Sequence, residues 1–520
     1  MPEISRTAKS IKNAQVALVF YLISLVVVFF SRRLFLQYLG DDFVGLTGTL
    51  TNILGFLNLA ELGVSSAIGF LLYVPLQKNN HLKIEHLISA FGFLYRKIGL
   101  IVLVIGIVFS CFIPLIFKNA SIDFGVIFFA FYSYLSSSLI SYFCNYKQTL
   151  LTADQKNYVI VSFYQTGILI KTVVQIILVY YYKNYYLWIG IELFYGIIYS
   201  FILNARIRKE YPWLHTNIKR GGQLLKEYPE IYSYTRKIFI HKIKDFILGQ
   251  GDQIFVFVFV SLKMVAYYGN YVLITAKLGQ FASTVLDSVT ASVGNLVAEN
   301  NKERINQVFW ELMSVRYYLA GIMVFALYFL LEPFITLWLG REYVLSQTVL
   351  ILFLINMFIN QSRGAVDSFN IAHGLYGDVW SAWAEGIINI AVTVSLSFHY
   401  GIVGILLGKV ISTFLIIVLW KPYYLFSQGL KRSIWIYWKG VGRYYTAFIV
   451  SFSIVYFLLK IITIDPFNSF LNWILFSVIA IVPFALLYLG LLLLIAFGMK
   501  EALLRFSLFR RVAGFISDFK

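Results

Sequence analysis

The sequence predicts an all-α polytopic membrane protein of about fourteen transmembrane helices, with two six-helix lobes related by pseudo-two-fold symmetry and two extra C-terminal helices. Three observations predict this. Of 520 residues, 59% are hydrophobic and 13% charged, whereas a soluble chain carries about 25% charged residues. Apolar runs of roughly 20 residues recur from end to end, each long enough to cross about 30 Å of hydrocarbon as a helix. The two halves of the chain also match each other in register.

In order along the chain, hydropathy and charged breaks place spans at 14–38, 43–72, 90–117, 124–146, 158–181, 187–205, 238–260, 267–297, 310–338, 344–370, 379–399, 401–420, 445–464 and 470–497. The runs lack the strict alternation of membrane strands. The first is longer than a signal h-region and lacks a small-residue cleavage site, so it is expected to remain in the protein. Loops 1–13, 73–89, 147–157, 206–237, 298–306, 421–443 and 500–520 hold most of the lysine and arginine outside the spans. The opposite loops hold only Lys118, Lys183, Lys263 and Arg341. By the positive-inside rule both termini are cytoplasmic. The expected organisation is an N-lobe (1–205), a cytoplasmic linker (206–237), a C-lobe (238–420), a basic cytoplasmic loop (421–443), the last two spans (444–499) and an amphipathic cytoplasmic tail (500–520).

The repeat rests on spacing. Pro114 in IPLIF and Pro333 in EPFITLWLG lie 219 residues apart, as do Ala153 and Ala372, and Gly167 and Gly386. YLGDDFVGLTG (Gly45) corresponds to KMVAYYGNYVL (Gly269) at an offset of 224, and an Asn-Asn inner loop follows in each half. Equal topology in the two repeats implies a pseudo-axis along the membrane normal, a transporter plan.

Charge inside the spans is the functional signal. A basic residue at mid-membrane costs about 3 kcal/mol on insertion scales, yet Arg32, Arg33, Lys171, Lys277, Arg316, Arg363 and Lys409 all lie within apolar runs. Arg32-Arg33 sits about two-thirds along the first span; guanidinium can hold phosphate bidentately, or it can snorkel to headgroups. For Lys171, Lys277 and Lys409 the alternatives are an anion-binding cavity and an internal ion pair. Candidate acids are Glu61, Glu192, Asp252, Asp287, Asp367 and Glu385. Arg316 and Arg363 lie near the inner face, where snorkelling is favoured and recruitment of an anion comes next. Asp252, in ILGQGDQIFVF, is expected either to pair with Arg32 or Arg33 or to bind a coupling proton or sodium ion; Glu61, Asp287 and Asp367 join it as coupling or salt-bridge candidates. Lys242, Lys244 and Asp245 are expected near the inner mouth, and Lys460 as a snorkeller.

Other chemistry finds no support. There is no GxxxxGK[ST], HExxH or CxxC, and the six histidines have no ligand spacing. An enzyme is not expected, nor a resident cofactor. Cys111 and Cys144 fall in apolar spans and are expected to be packing residues. The net charge of +18 fits positive-inside bias and anionic lipid rather than nucleic acid.

The segments SRRLFLQYLG, GLTGTLTNILGFLNLAELGVSSAI with LYVPL, GDQIFVFVFV, VAYYGNYVLI and EPFITLWLG resemble the Wzx-type O-antigen and capsule flippases of the MATE-like multidrug/oligosaccharidyl-lipid/polysaccharide exporter superfamily. The resemblance covers most of the first 420 residues. It implies a two-lobe fold in a bacterial inner membrane that flips undecaprenyl-pyrophosphate-linked glycan through a cationic cavity by alternating access, beside a glycan polymerase machinery. Among the basic residues it carries over onto Arg32-Arg33. A peptidoglycan-precursor flippase and an ion-coupled drug exporter of the same fold are the alternatives; a non-transporting scaffold would not need charge at mid-membrane. On this reading, replacing Arg32 and Arg33 together by alanine abolishes surface glycan while the protein stays in the membrane, as immunoblotting and glycan staining would record. Full glycan display in that variant would contradict the cationic-cavity mechanism.

Overall fold

A bilayer interior offers no water to backbone N–H and C=O groups, so each apolar run closes its own hydrogen bonds as a helix. The computed structural model describes residues 6–118, 120–232, 235, 251–299, 301–375 and 377–505; at 6–12, 14, 17, 59–63, 66, 284–292, 295 and 298 it describes the backbone alone. The chain divides into two compact units, Met1–Gly269 and Asn270–Lys520.

The N-terminal unit holds α1 (Arg6–Leu39), α2 (Asp41–Leu57), α3 (Leu59–Gln77), α4 (His81–Ser110), α5 (Phe124–Cys144), α6 (Asn157–Tyr182) and α7 (Tyr185–Glu210). Residues 251–259 are also helical, and α8 (Leu262–Ala298) begins here and runs on into the second unit. The C-terminal unit continues with α9 (Lys302–Trp338), α10 (Gln347–Ser362), α11 (Val379–Tyr400), α12 (Ile402–Thr413), α13 (Ile434–Leu459) and α14 (Phe470–Ile495). Among the described residues eleven helices are long and apolar enough to cross a membrane. The other expected spans correspond to α2 with α3, to α8, and to 238–260, of which only 251–260 is described. About fourteen helices is thus consistent with the structure.

Polar residues start the helices as their physics requires. Asn80, Asp123, Asn184, Asn301, Ser433 and Ser469 each accept a first-turn N–H at the N-terminus of α4, α5, α7, α9, α13 and α14. In the first unit α1 packs on α6, α3 on α4, α4 on α5, α5 on α7 and α6 on α7. At Gly45 in α2 an added Cβ would run into the Leu262 carbonyl, so α2 meets the start of α8 backbone to backbone. In the second unit α9 packs on α10 and α14, α13 on α14, and α11 on α12. Phe325 of α9 stacks on Phe484 of α14 at 3.9 Å, and Tyr488 donates to the Tyr317 carbonyl at 3.2 Å. Gly404 and Gly408 of α12 lie against α11 with no room for a side chain.

The repeat is visible in element order. A short helix Gln148–Ala153 precedes α6, and Gly364–Ala372 precedes α11; they end at Ala153 and Ala372, the pair matched in sequence.

The structure departs from the sequence reading in four places. The run 43–72 is two helices broken at Asn58, whose Oδ1 accepts from Ser138 (2.8 Å) and Tyr142 (3.1 Å) of α5. The span expected to end at 420 continues to Gly429 through wide π-type turns at Phe414–Trp420 and Leu425–Gly429. Lys421, which reads as a boundary, is instead neutralised by Asp378 at 2.7 Å. Burial alone would raise the Asp378 carboxyl, but Lys421, Ser381 and Trp420 outweigh it and hold it below its ordinary value. The expected linker from 206 is folded as far as 232: Leu214, Leu224 and Leu225 are buried, and Glu85 and Ser89 of α4 accept from the backbone of His215 and Asn217. Cys111 and Cys144, expected to pack inside, are exposed at helix ends, because each lies just where its helix stops turning an apolar face inward. Lys242, Lys244, Asp245 and the tail from 506 lie outside the described residues.

Candidate functional site

The first unit gathers a polar belt from four segments, α1, α2, 251–259 and α8. Arg32, half-buried on α1, donates from Nη2 to the Ala266 carbonyl of α8 at 3.1 Å, and a Cβ at Gly269 would lie 3.3 Å from the same nitrogen. Asp252 is buried and accepts from Tyr268 at 3.0 Å. Next to it, Gln253 Oε1 accepts from Asn52 Nδ2 of α2 at 2.8 Å. Arg32 and Asp252 therefore both engage residues 266–269; the sequence reading expected Asp252 either to pair with Arg32 or Arg33 or to bind a coupling ion. Arg33 points elsewhere, since neighbouring helical residues diverge by about 100°. It is exposed and has no acidic partner among the described residues. Asn52, Gln253 and Tyr268 were not singled out in the sequence; neutral polar residues in TLTNILG and GDQIF look like ordinary helix contents until their partners are known.

Lys171 is neutralised within the same unit. Its ammonium sits 2.7 and 2.9 Å from the two carboxylate oxygens of Glu192 on α7. Gln175 adds a bond to Glu192 (3.2 Å) and one to the Trp188 carbonyl (3.1 Å), and Tyr195 faces the ammonium at 5.3 Å. This is the internal ion pair rather than an open anion site.

In the second unit Arg316 is buried, 8% exposed, and does not snorkel. Its guanidinium lies against Gly364, where any side chain would collide with it. That glycine separates α10 from the short helix after it. Arg363 Nε bonds Asp367 Oδ2 at 2.7 Å, an i,i+4 pair. Lys277, half-buried on α8, sits two residues before Gly279, where an added Cβ would lie 3.1 Å from Gln361 Nε2; Lys409 is half-buried on α12. The structure thus brings Arg316, Arg363 and Asp367 to one break, one helical turn long. Glu61 and Asp287 fall on described helices, but their side chains lie outside the described residues.

Two further features escaped the sequence reading. Helix α11 buries Ser381, Glu385, Asn389, Thr393 and Ser397, one every fourth residue, while Trp380, Trp383, Ile387 and Phe398 are exposed. It is polar inside and apolar outside, the inverse of a soluble helix. The second is an apolar trough of about 420 Å³ walled by Val324 and Tyr328 of α9, Ile351, Leu354, Ile355, Phe358 and Ile359 of α10, Phe414 and Val418 of the π-type turn, and Tyr445, Phe448, Ile449 and Phe452 of α13. That volume is in the range of small-molecule sites.

No family model matches the chain, and none of the curated proteins is similar to it in sequence. Solved structures do match. Lipid II flippase MurJ in an inward closed conformation is similar over 91% of this chain and 99% of its own, with a TM-score of 0.67 and 17% identity. The chain has a MATE-like fold. An inward-facing multidrug resistance MATE family transporter of the MOP superfamily matches over 80% of this chain and 99% of its own, with a TM-score of 0.55 and 13% identity. Identities this low carry the MATE-like fold and nothing finer.

The Lys171–Glu192 pair makes a sharp prediction for this fold. Lys171→Met alone leaves a half-buried carboxylate uncompensated and costs about 2 kcal/mol. Lys171→Met with Glu192→Gln recovers most of that loss. Thermal unfolding in detergent of the single and double variants checks it; a single variant as stable as wild type would show the pair contributes nothing.

Proposed function

We propose that the protein is a flippase that carries a polyprenyl-pyrophosphate-linked oligosaccharide, such as an O-antigen, capsule or exopolysaccharide unit, from the cytoplasmic to the outer leaflet of a bacterial inner membrane. Both termini are cytoplasmic in this reading, and movement is by alternating access without enzymatic chemistry. The observation that carries it is the apolar trough on α9, α10 and α13 in a chain whose spans also hold unspent arginine. An amphiphile with a long hydrocarbon tail and an anionic head uses both; a drug cation could use the trough but is repelled by the arginine.

Charge bookkeeping refines which residues meet the anion. Lys171 is satisfied by Glu192 and Arg363 by Asp367, so they rank behind Arg33, which has no acid to hold, and Arg32, Lys277, Arg316 and Lys409 follow. Guanidinium suits the pyrophosphate because it offers parallel donors to paired oxygens. Asp252, buried beside Tyr268, is the first candidate for coupling to a proton or sodium gradient, since a carboxyl held inside a membrane responds to either. Glycan-polymerase partners follow from the same substrate.

The similarity of the fold to lipid II flippase MurJ favours a second reading, a lipid-linked peptidoglycan precursor as cargo. Rescue of cells depleted of their lipid II flippase would select it, and rescue of a glycan-export mutant would select the first. For either cargo, filling the trough with Ile355→Trp and Phe414→Trp should reduce export on the order of tenfold at equal protein level, because a tail loses its buried area. Undiminished export from the filled variant would remove the trough from the mechanism.

A further inference from the structure

In the N-terminal unit Lys147 just past α5, Arg208 in the last turn of α7 and Arg96 midway along α4 are cations that the transport reading does not use. Asn145, which caps α5, accepts from Ser200 Oγ (2.7 Å) and Asn204 Nδ2 (3.2 Å) of α7. That clasp sets Lys147 beside the last turn of α7, where Arg208 lies one turn beyond Asn204. On the other flank Tyr146 packs on Gly92 of α4, where a Cβ would be 2.9 Å from its ring. Arg96 lies one turn on from Gly92. Lys147 Nζ stands 5.8 Å from the Tyr146 ring centre.

None of the three has an acidic partner among the described residues. The contrast with their neighbours is direct: Lys156 pairs with Asp154 and Glu210, and Arg206 takes the other oxygen of Glu210. Carboxylates are therefore at hand but committed. Burial first, and the nearby charge of Arg208 second, push the Lys147 ammonium below its ordinary value. Deeper along the same helices, Leu100 and Ile101 of α4 and Phe201 and Ile202 of α7 are exposed apolar side chains. A charged ring directly under an apolar wall is the profile of a lipid headgroup with its chains.

We propose that Lys147, Arg208 and Arg96 bind the phosphate of an anionic phospholipid in the leaflet next to the basic loops, with its acyl chains lying along α4 and α7. The proposal does not depend on the cargo.

Native mass spectrometry of the full chain, purified in mild detergent with phosphatidylglycerol, reads the site directly. Wild type retains the lipid; Lys147→Ala with Arg208→Ala retains it on the order of tenfold less, since each basic residue near a membrane surface contributes a few-fold. Lys147→Arg keeps it. Millimolar inorganic phosphate leaves it in place. Equal retention by the double variant overturns the proposal, as does release by inorganic phosphate or preferential replacement by a polyprenyl-pyrophosphate lipid. If the double variant is lost from membranes, Arg208→Gln alone decides, with about a fivefold loss expected and wild-type retention fatal.

Discussion

An ionised side chain in hydrocarbon must be neutralised, led out to water or put to use, and that constraint organises this protein. Each intramembrane base meets it differently. Lys171 is closed off by both oxygens of Glu192, and Arg363 by Asp367 one turn away. Arg316 is buried against a glycine that exists to make room for it. Arg32 donates to a carbonyl of α8. Arg33 alone of the first-span pair stays exposed without an acid among the described residues. The helix pattern changes where these groups are accommodated: it breaks at Gly364 beside Arg316 and passes through π-type turns on either side of Lys421, which meets Asp378.

The fold class was legible because apolar length is a direct reading of bilayer thickness. The repeat was legible for a similar reason: Ala153 and Ala372 end short helices that prepare the next span, so turn geometry keeps their spacing. Interruptions were harder to read. Asn58 looks like any residue of NILGFLNLAEL, and its break depends on Ser138 and Tyr142, eighty residues away. Lys421 looks like the end of a span and is not one, because its partner Asp378 is distant in sequence.

The site was legible as chemistry and less so as geometry. Arg32 and Asp252 could be placed near one another from the repeat, and residues 266–269 do engage both. Whether a lysine is spent on a neighbouring acid is decided by helix rotation, which hydropathy does not record; Lys171 is the case in point. The trough was invisible for the same reason, since it depends on which face each helix turns inward. The polar row of α11 is different: Ser381, Glu385, Asn389, Thr393 and Ser397 recur every fourth residue, a helical period that was legible in the sequence and was passed over.

The central claim is that this fold moves an anionic lipid-linked glycan. Purified protein in liposomes, given a fluorescent polyprenyl-pyrophosphate oligosaccharide in one leaflet, tests it most directly, with a glycan-modifying enzyme outside to report arrival. The account predicts protein-dependent movement that Arg33→Gln slows and that organic cations do not compete. No movement of the glycan, or transport of an organic cation in its place, would contradict it.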